Sequence, residues 1–189
     1  MTFKKCIFIT GAASGIGRAT ACLFARQGWF VGLGDINEAA LNDLGRDLGD
    51  DQSCVLVTDV TRLESVRSAV ETFGAQTGRR MDVLFNCAGI LRMGPHQQIP
   101  IEAQAQTVAV NLTGVLHGIQ TSLPLLKQTP GAAVINMSSA SAVYGGPELA
   151  VYSATKFAVR GLTEALDIEF EPLGIRVCDI MVPYVATPM

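Results

Sequence analysis

Charge is scarce in this sequence. Charged residues make up 16% of the chain against 49% hydrophobic, and the net charge is only −3. That balance excludes a disordered chain. No basic cluster or arginine-rich run is present, which excludes a nucleic-acid partner. Paired cysteine motifs are missing too. Cys6, Cys22, Cys54, Cys87 and Cys178 are widely spaced, odd in number and without a CxxC pair. They read as reduced thiols packed in the core, and hence as a sign of a reducing compartment. No window approaches a membrane span. The apolar run Cys6–Ile9 behind Lys4 and Lys5 is too short for the core of a signal peptide. The expectation is a cytoplasmic protein with no membrane partner. No metal-ligand cluster is visible, and the two histidines, His96 and His117, lie far apart. Linkers, repeats and low-complexity segments are absent as well, so the 189 residues read as one domain with a sizeable core.

What is present is alternation. Short apolar, β-rich runs fall at Cys6–Thr10, Phe30–Leu33, Cys54–Val57, Met81–Phe85, Ala133–Asn136 and Ile175–Met181. Between them lie amphipathic stretches of helical length: Ile16–Gln27, Glu38–Leu48, Leu63–Thr77, Glu102–Leu126 and Ala150–Glu171. The fourth of these predicts a long helix bent near Pro124. The second strand ends near Asp35. Strict alternation of strand and helix predicts right-handed βαβ units around a parallel sheet. The expected fold is α/β, a doubly wound three-layer sandwich with strand order 3-2-1-4-5-6.

The first strand runs directly into Thr10-Gly11-Ala12-Ala13-Ser14-Gly15-Ile16-Gly17, and a helix follows at once. Gly11 permits a tight turn; Gly15 and Gly17 leave room for a pyrophosphate and for close helix–strand packing. The helix then offers free N–H groups and its positive dipole end to phosphates. A lone glycine motif also fits a plain turn. Its place between strand and helix makes it the mark of a Rossmann-type dinucleotide cradle. Asp35 lies 18 residues beyond Gly17. A carboxylate there can accept hydrogen bonds from both adenosine ribose hydroxyls and repels a 2′-phosphate, so NAD is preferred over NADP. Asp35 is alternatively a turn residue or cap before Asn37.

Tyr152 and Lys156 stand four residues apart on a predicted helix and so share a face. A phenol titrates near pH 10; a nearby ammonium favours its ionised form and fits it for proton transfer near neutrality. Thirteen residues before Tyr152, a strand ends in Met137-Ser138-Ser139. Ser139 there can donate a hydrogen bond to a substrate oxygen, with Ser138 as the competing candidate.

With these residues in view, the chain resembles the short-chain dehydrogenase/reductase family. The matching positions are Thr10-Gly11-xxx-Gly15-Ile16-Gly17, Asp59, Asn86-Cys87-Ala88-Gly89, Asn111, Ser139 and Tyr152-xxx-Lys156, in the family's order from end to end. The resemblance implies a general acid/base, Tyr152. It implies that Lys156 lowers the pKa of Tyr152 and holds the nicotinamide ribose, that Ser139 polarises the substrate carbonyl, and that Asn111 helps hold a water in a proton relay. It places Gly11, Ser14, Gly15, Ile16, Gly17 and Asp35 at the cofactor's phosphates and ribose. Asp59 and Val60 would contact the adenine, with Asn86, Ala88 and Gly89 on the adenosine side. Pro183, Val185 and Thr187 would line the nicotinamide end, Thr187 at the carboxamide. No metal is required.

Two departures stand out. Cys87 replaces the family's second Asn, a swap that reads as tolerable if Cys87 packs inward. Tyr184 follows Pro183 where the family has Gly, which would strain a turn of positive φ. The sequence ends at Met189, short of the family's substrate lid and last strand, so the expected domain, 1–189, is the dinucleotide-binding part without them. Leu91, Met93, residues 140–146, Pro147 and Val185, with Tyr144 as a polar tip, suggest an apolar pocket for a secondary alcohol or ketone on a hydrophobic or lightly polar body. The helices at Glu102–Leu126 and Ala150–Glu171 resemble the pair through which family members form homodimers and homotetramers. The expected activity is an NAD-dependent oxidation of a secondary alcohol or its reverse. The alternatives are an epimerase or dehydratase built on transient hydride transfer, and a non-catalytic dinucleotide-binding sensor or scaffold.

Overall fold

The computed structural model describes residues 4–183 together with Val185 and Thr187. The expectation placed on Tyr184 lies outside the described residues. Six strands, β1 (Cys6–Thr10), β2 (Phe30–Asp35), β3 (Ser53–Val57), β4 (Val83–Asn86), β5 (Ala133–Met137) and β6 (Arg176–Ile180), form one sheet in the order β3-β2-β1-β4-β5-β6. Every pairing is parallel. The strand order is the one the alternation predicts. β1 is buried at all five positions, as expected for a central strand covered on both faces.

The helices divide between the two faces. α1 (Gly15–Arg26) and α2 (Glu38–Leu48) cover one, where Ile7, Ile9, Ala21, Ala25, Leu41 and Leu44 pack together. Leu41 and Leu44 are three apart, so one side of α2 meets the sheet. Its N-terminus is closed by Asn37, whose side chain accepts from the Ala40 N–H. On the other face, α3 (Leu63–Gln76), α5 (Gly114–Lys127) and α6 (Ala150–Phe170) enclose a core of Phe8, Phe73, Leu84, Leu125, Leu126, Val134 and Val159.

The long helix expected over Glu102–Leu126 is three pieces. α4 (Ile101–Val108) runs into a π-helical turn at Ala109–Thr113, and α5 follows directly, with right-handed helical backbone at Val108, Thr113 and Gly114. The irregularity therefore sits at Asn111, not at Pro124, which lies inside α5. Pro124 cannot serve the carbonyl of Gln120, but Gln120 is solvent-exposed, where water can take the place of the missing N–H.

Register sets the site. Thr10, Asn86 and Asn136 lie side by side at the ends of β1, β4 and β5, and Gly34 pairs with both Thr10 and Leu56. The C-terminal ends of the strands are thus nearly level, and the loops that leave them open on one edge of the sheet, where doubly wound folds bind ligands.

Candidate active site

That edge carries a cleft of about 660 Å³. Its walls come from five successive strand ends: the Gly11–Gly17 loop after β1, Asp35 and Ile36 after β2, Thr58–Thr61 after β3, Cys87–Arg92 after β4, and Met137 at the end of β5. Thr187 lines it as well. The expected positions Gly11, Ser14, Gly15, Ile16, Gly17, Asp35, Asp59, Val60, Ala88, Gly89 and Thr187 are therefore brought together.

The glycine loop is shaped by backbone contacts. Gly11 has φ +75°, a conformation few side chains accept. A Cβ on Gly17 would fall 2.1 Å from the Gly11 carbonyl oxygen, so the helix start can close on the loop only with glycine there. Ser14 caps α1 in extended conformation but makes no side-chain capping bond, so its hydroxyl is not spent on the helix. Asp35 faces the loop. One carboxylate oxygen accepts from the Ala13 N–H at 3.1 Å and the other from the Asn37 N–H at 3.0 Å. Of the two alternatives considered for Asp35, the turn role is present and the cap of α2 is Asn37; each Asp35 oxygen retains a lone pair for a further donor. Thr10, whose side chain no motif argument used, accepts from the N–H groups of Cys87 and Ala88 at 3.1 and 3.2 Å. It sews the end of β1 to the opposite cleft wall. Asp59 is fixed by accepting from Thr61 N–H and hydroxyl at 3.0 and 2.7 Å.

Not every expected residue lines the cleft through its side chain. The Asn86 side chain does not reach the cleft. Asn86 is 3% exposed and its amide donates to Asn136 at 2.9 Å, on the face covered by α5 and α6. Pro183 and Val185 are also not among the cleft-lining residues. Gln106, Ala109 and Val110 line the cleft instead. They come from α4 and the π-helical turn, and no motif marked them. Cys87 does line the cleft, rather than packing wholly inward. Burial pushes its thiol up to about 11, against the opposing pull of the Lys156 charge and a hydrogen bond from the Gly17 N–H.

Beyond Met137 stand Ser139, Tyr152 and Lys156. Lys156 is 4% exposed, and its ammonium donates to the Met137 carbonyl at 2.7 Å. Its nitrogen lies 5.5 Å from the centre of the Tyr152 ring. Burial pushes the ammonium down to about 8. For the half-buried Tyr152, burial raises the phenol above its ordinary value, and hydrogen bonding with the Ser139 side chain draws it back. The expected lowering by Lys156 is not the effect that governs here, because the ammonium is turned to a backbone carbonyl and desolvation dominates. Ser139 is 7% exposed and begins a 3₁₀ turn at Ala140–Ala142, its hydroxyl accepting from Ser141 N–H at 3.1 Å. Ser138 is buried, with a hydroxyl that meets no partner among the described residues. Tyr152 also borders a crevice of about 10 Å³, beside Arg92 and Gly94. Arg92 lines both the crevice and the cleft.

Asn111 sits fully buried in the π-helical turn. Its side chain accepts from the Ile90 N–H at 2.8 Å and donates to the Ile90 carbonyl at 2.9 Å and to Thr155 at 3.4 Å. It ties the turn to the cleft wall after β4 and to α6. His117 bonds the Val60 carbonyl through Nδ1 at 2.9 Å, and the exposed His96 lines the small crevice that Tyr152 borders.

Comparison with known proteins agrees with this arrangement. The short chain dehydrogenase family profile matches residues 5–189. A D-threitol dehydrogenase of Mycolicibacterium smegmatis is 32% identical over 98% of this chain and 72% of its own. A cyclohexanol dehydrogenase of an Acinetobacter species is 32% identical over 98% of this chain and 75% of its own. A 3-ketoacyl-(acyl-carrier-protein) reductase from Brucella melitensis, solved with NADH, superposes with a TM-score of 0.92 at 31% identity, over 97% of this chain and 77% of that one. The glycine loop, the parallel sheet and the Ser–Tyr–Lys cluster at one strand-end edge thus stand in a chain that belongs to the short chain dehydrogenase family of oxidoreductases.

Proposed function

We propose that this protein is an NAD-dependent oxidoreductase that interconverts a secondary alcohol and a ketone, with Tyr152 as general acid/base. The observation that carries the reading is the gathering of Ser139, Tyr152 and Lys156 at the end of β5, beside a cleft walled by five strand ends. The residues present fit a dinucleotide. The first turn of α1 has no side-chain cap competing for its N–H groups, and a close-packed glycine loop leads into it. Gly11 and Ser14–Gly17 would hold the pyrophosphate, Asp35 the adenosine ribose, and Asp59 and Val60 the adenine. Ala88 and Gly89 would flank the adenosine, Lys156 would hold the nicotinamide ribose, and Thr187 the carboxamide. The cofactor supplies or takes the hydride.

The chain's own residues manage the proton. Burial raises the Tyr152 phenol above its ordinary value and so favours the protonated form that gives its proton to a carbonyl oxygen. The Ser139 hydroxyl can donate to the same oxygen and orient it. Once the phenol has lost its proton, the nearby ammonium of Lys156 and the Ser139 hydroxyl favour the phenolate. The Asn111 side chain is spent on Ile90 and Thr155, so Asn111 would hold a relay water only through its main-chain carbonyl. The secondary-alcohol assignment draws support from the relatives named for D-threitol and cyclohexanol. NAD draws support from the Asp35 carboxylate, which a 2′-phosphate would meet as like charge. The five cysteines are all free, which fits a cytoplasmic setting. Among the described residues no helix is long and apolar enough to cross a membrane. Exposed Leu116 on α5 and Phe157 on α6 fit association into homodimers or homotetramers.

Fluorescence titration with NADH and NADPH, on the protein and on Asp35→Ala, tests the cradle. NADH should bind at least about tenfold tighter, a difference of roughly 1.4 kcal/mol, and Asp35→Ala should erase the preference. Loss of the Ala13 bond weakens both cofactors together, so the ratio isolates the carboxylate. Turnover of cyclohexanol and D-threitol with NAD then tests Tyr152. Tyr152→Phe should keep cofactor binding and lose about 10²–10⁴ in turnover. Turnover retained in that variant refutes the assignment.

A further inference from the structure

The layer between the sheet and helices α5 and α6 is built of Leu84, Val134 and Val177 from the strands and Val159 from α6, yet three polar side chains cross it. The Asn86 amide donates to the Asn136 carbonyl oxygen at 2.9 Å, and the Asn136 amide donates to the Thr163 hydroxyl at 2.9 Å. The Thr163 hydroxyl donates to the Val159 carbonyl at 2.8 Å. All three residues are 3% exposed or less. The chain has one direction only. The hydroxyl proton of Thr163 is committed to α6, which leaves its oxygen to accept from Asn136, and that fixes which end of the Asn136 amide faces Asn86.

Polar groups buried in an apolar layer are costly unless paired, and apolar residues of the same shape would hold such a layer with little loss. What the directional chain adds is position. Asn136 is followed by Met137, whose carbonyl receives the Lys156 ammonium. Thr163 lies seven residues beyond Lys156, two turns along the same face of α6. The helix is therefore pinned to β5 at two points, one at Asn136 and one at Met137. Only the first is made by short, stiff side chains. Lys156 reaches its acceptor on a flexible four-carbon stem; Asp167, which accepts from the Val177 N–H at 2.9 Å, ties the far end of α6 to β6 rather than to β5, and apolar contacts alone do not fix how far a helix slides along a sheet.

We propose that Thr163 and Asn136 are positioning residues that set the height of α6 on β5, so that Lys156 meets the Met137 carbonyl beside Tyr152. The bond from Asn86 holds the Asn136 amide in the required orientation and couples the cleft wall after β4 to the same register. The importance of Lys156 rests on the function proposed above; the bonding argument does not.

The sequence has four lysines, Lys4, Lys5, Lys127 and Lys156, so NMR of the lysine Cε–Nζ groups in this 189-residue chain gives few signals. A Lys156→Met sample assigns the one of interest. The titratable neighbours that face Lys156 are the Cys87 thiol and the Tyr152 phenol, both held toward their neutral forms by burial. In the parent protein Lys156 should titrate near 8. In Thr163→Val its midpoint should move toward that of the exposed lysines by about one unit, as the displaced ammonium regains water. Thr163→Ser, which keeps the hydroxyl, should restore it. Should the valine variant not fold, Thr163→Cys is near in size and offers only a weak acceptor, and it should show the same shift. A valine or cysteine variant that loses thermal stability yet leaves the Lys156 midpoint unmoved overturns the proposal, since a merely structural bond would behave that way. The readout needs neither cofactor nor alcohol, so its failure is distinct from a failure of the dehydrogenase assignment.

Discussion

Lys156 is a cation placed where charge is disfavoured, and this has a consequence for stability. Its folded value near 8 lies below the 10.5 of a free lysine. Between those values the unfolded chain binds more protons than the folded one, so this group's contribution to stability rises with pH across that window. Below pH 8 the full cost of burying the ammonium is present; above about 10.5 it is gone. The shift corresponds to roughly 3 kcal/mol as an upper bound. Denaturant unfolding of the protein and of Lys156→Met, at pH 7.5 and again at 10.5, should show the parent gaining on the variant by up to about 3 kcal/mol. A stability difference that does not change over this range would mean that Lys156 is not desolvated as its burial indicates. At this scale the sequence is uneven in what it reveals. The Tyr152 and Lys156 pair was legible because four-residue spacing on a helix is geometry. The acceptor of Lys156 was not, because a backbone carbonyl has no side-chain signature. The face that the Asn86 side chain takes was hidden for a similar reason: in a four-residue strand, one step of pleat decides it.

The segment from Ile101 to Lys127 shows what periodicity at the scale of elements reveals and what it hides. Strands β1 to β6 were legible as apolar runs because a parallel sheet is covered on both faces. The helical reach of this segment was legible as well. Its π-helical turn was not, since the sequence offers Pro124 as the obvious interruption and nothing local marks Ala109–Thr113. Tertiary bonding is what the turn serves: the extra residue lets Asn111 face Ile90, and it carries Ala109 and Val110 to the cleft. Asn111→Ala should therefore strand both the N–H and the carbonyl of Ile90 and leave a cavity in a fully buried position. The expected loss is about 2–4 kcal/mol in denaturant unfolding, with weaker NADH binding in variants still folded, because Ile90 belongs to the cleft wall. A variant of unchanged stability would show that the turn holds itself without this side chain.

At the scale of the whole molecule, the cleft belongs to no single element. It takes a wall from the end of each of the first five strands, so the two halves of the sheet meet along it. A ligand that spans those walls touches both halves and is available only to the folded chain. Such binding stabilises by mass action, by about 2.7 kcal/mol when the ligand stands at 100 times its Kd. For a domain of this size that corresponds to a rise in Tm of roughly 5–10 °C. NADH at saturating concentration should produce that shift in the parent protein. At the same concentration NADPH should produce a clearly smaller one, because Asp35 faces the glycine loop from the end of β2 and meets a 2′-phosphate as like charge. Differential scanning calorimetry with each cofactor measures both. Equal shifts would remove the argument for NAD while leaving the cleft as a dinucleotide site. No shift with either cofactor would mean that walls from five strand ends do not close on such a ligand, and the dehydrogenase reading would lose the observation on which it stands.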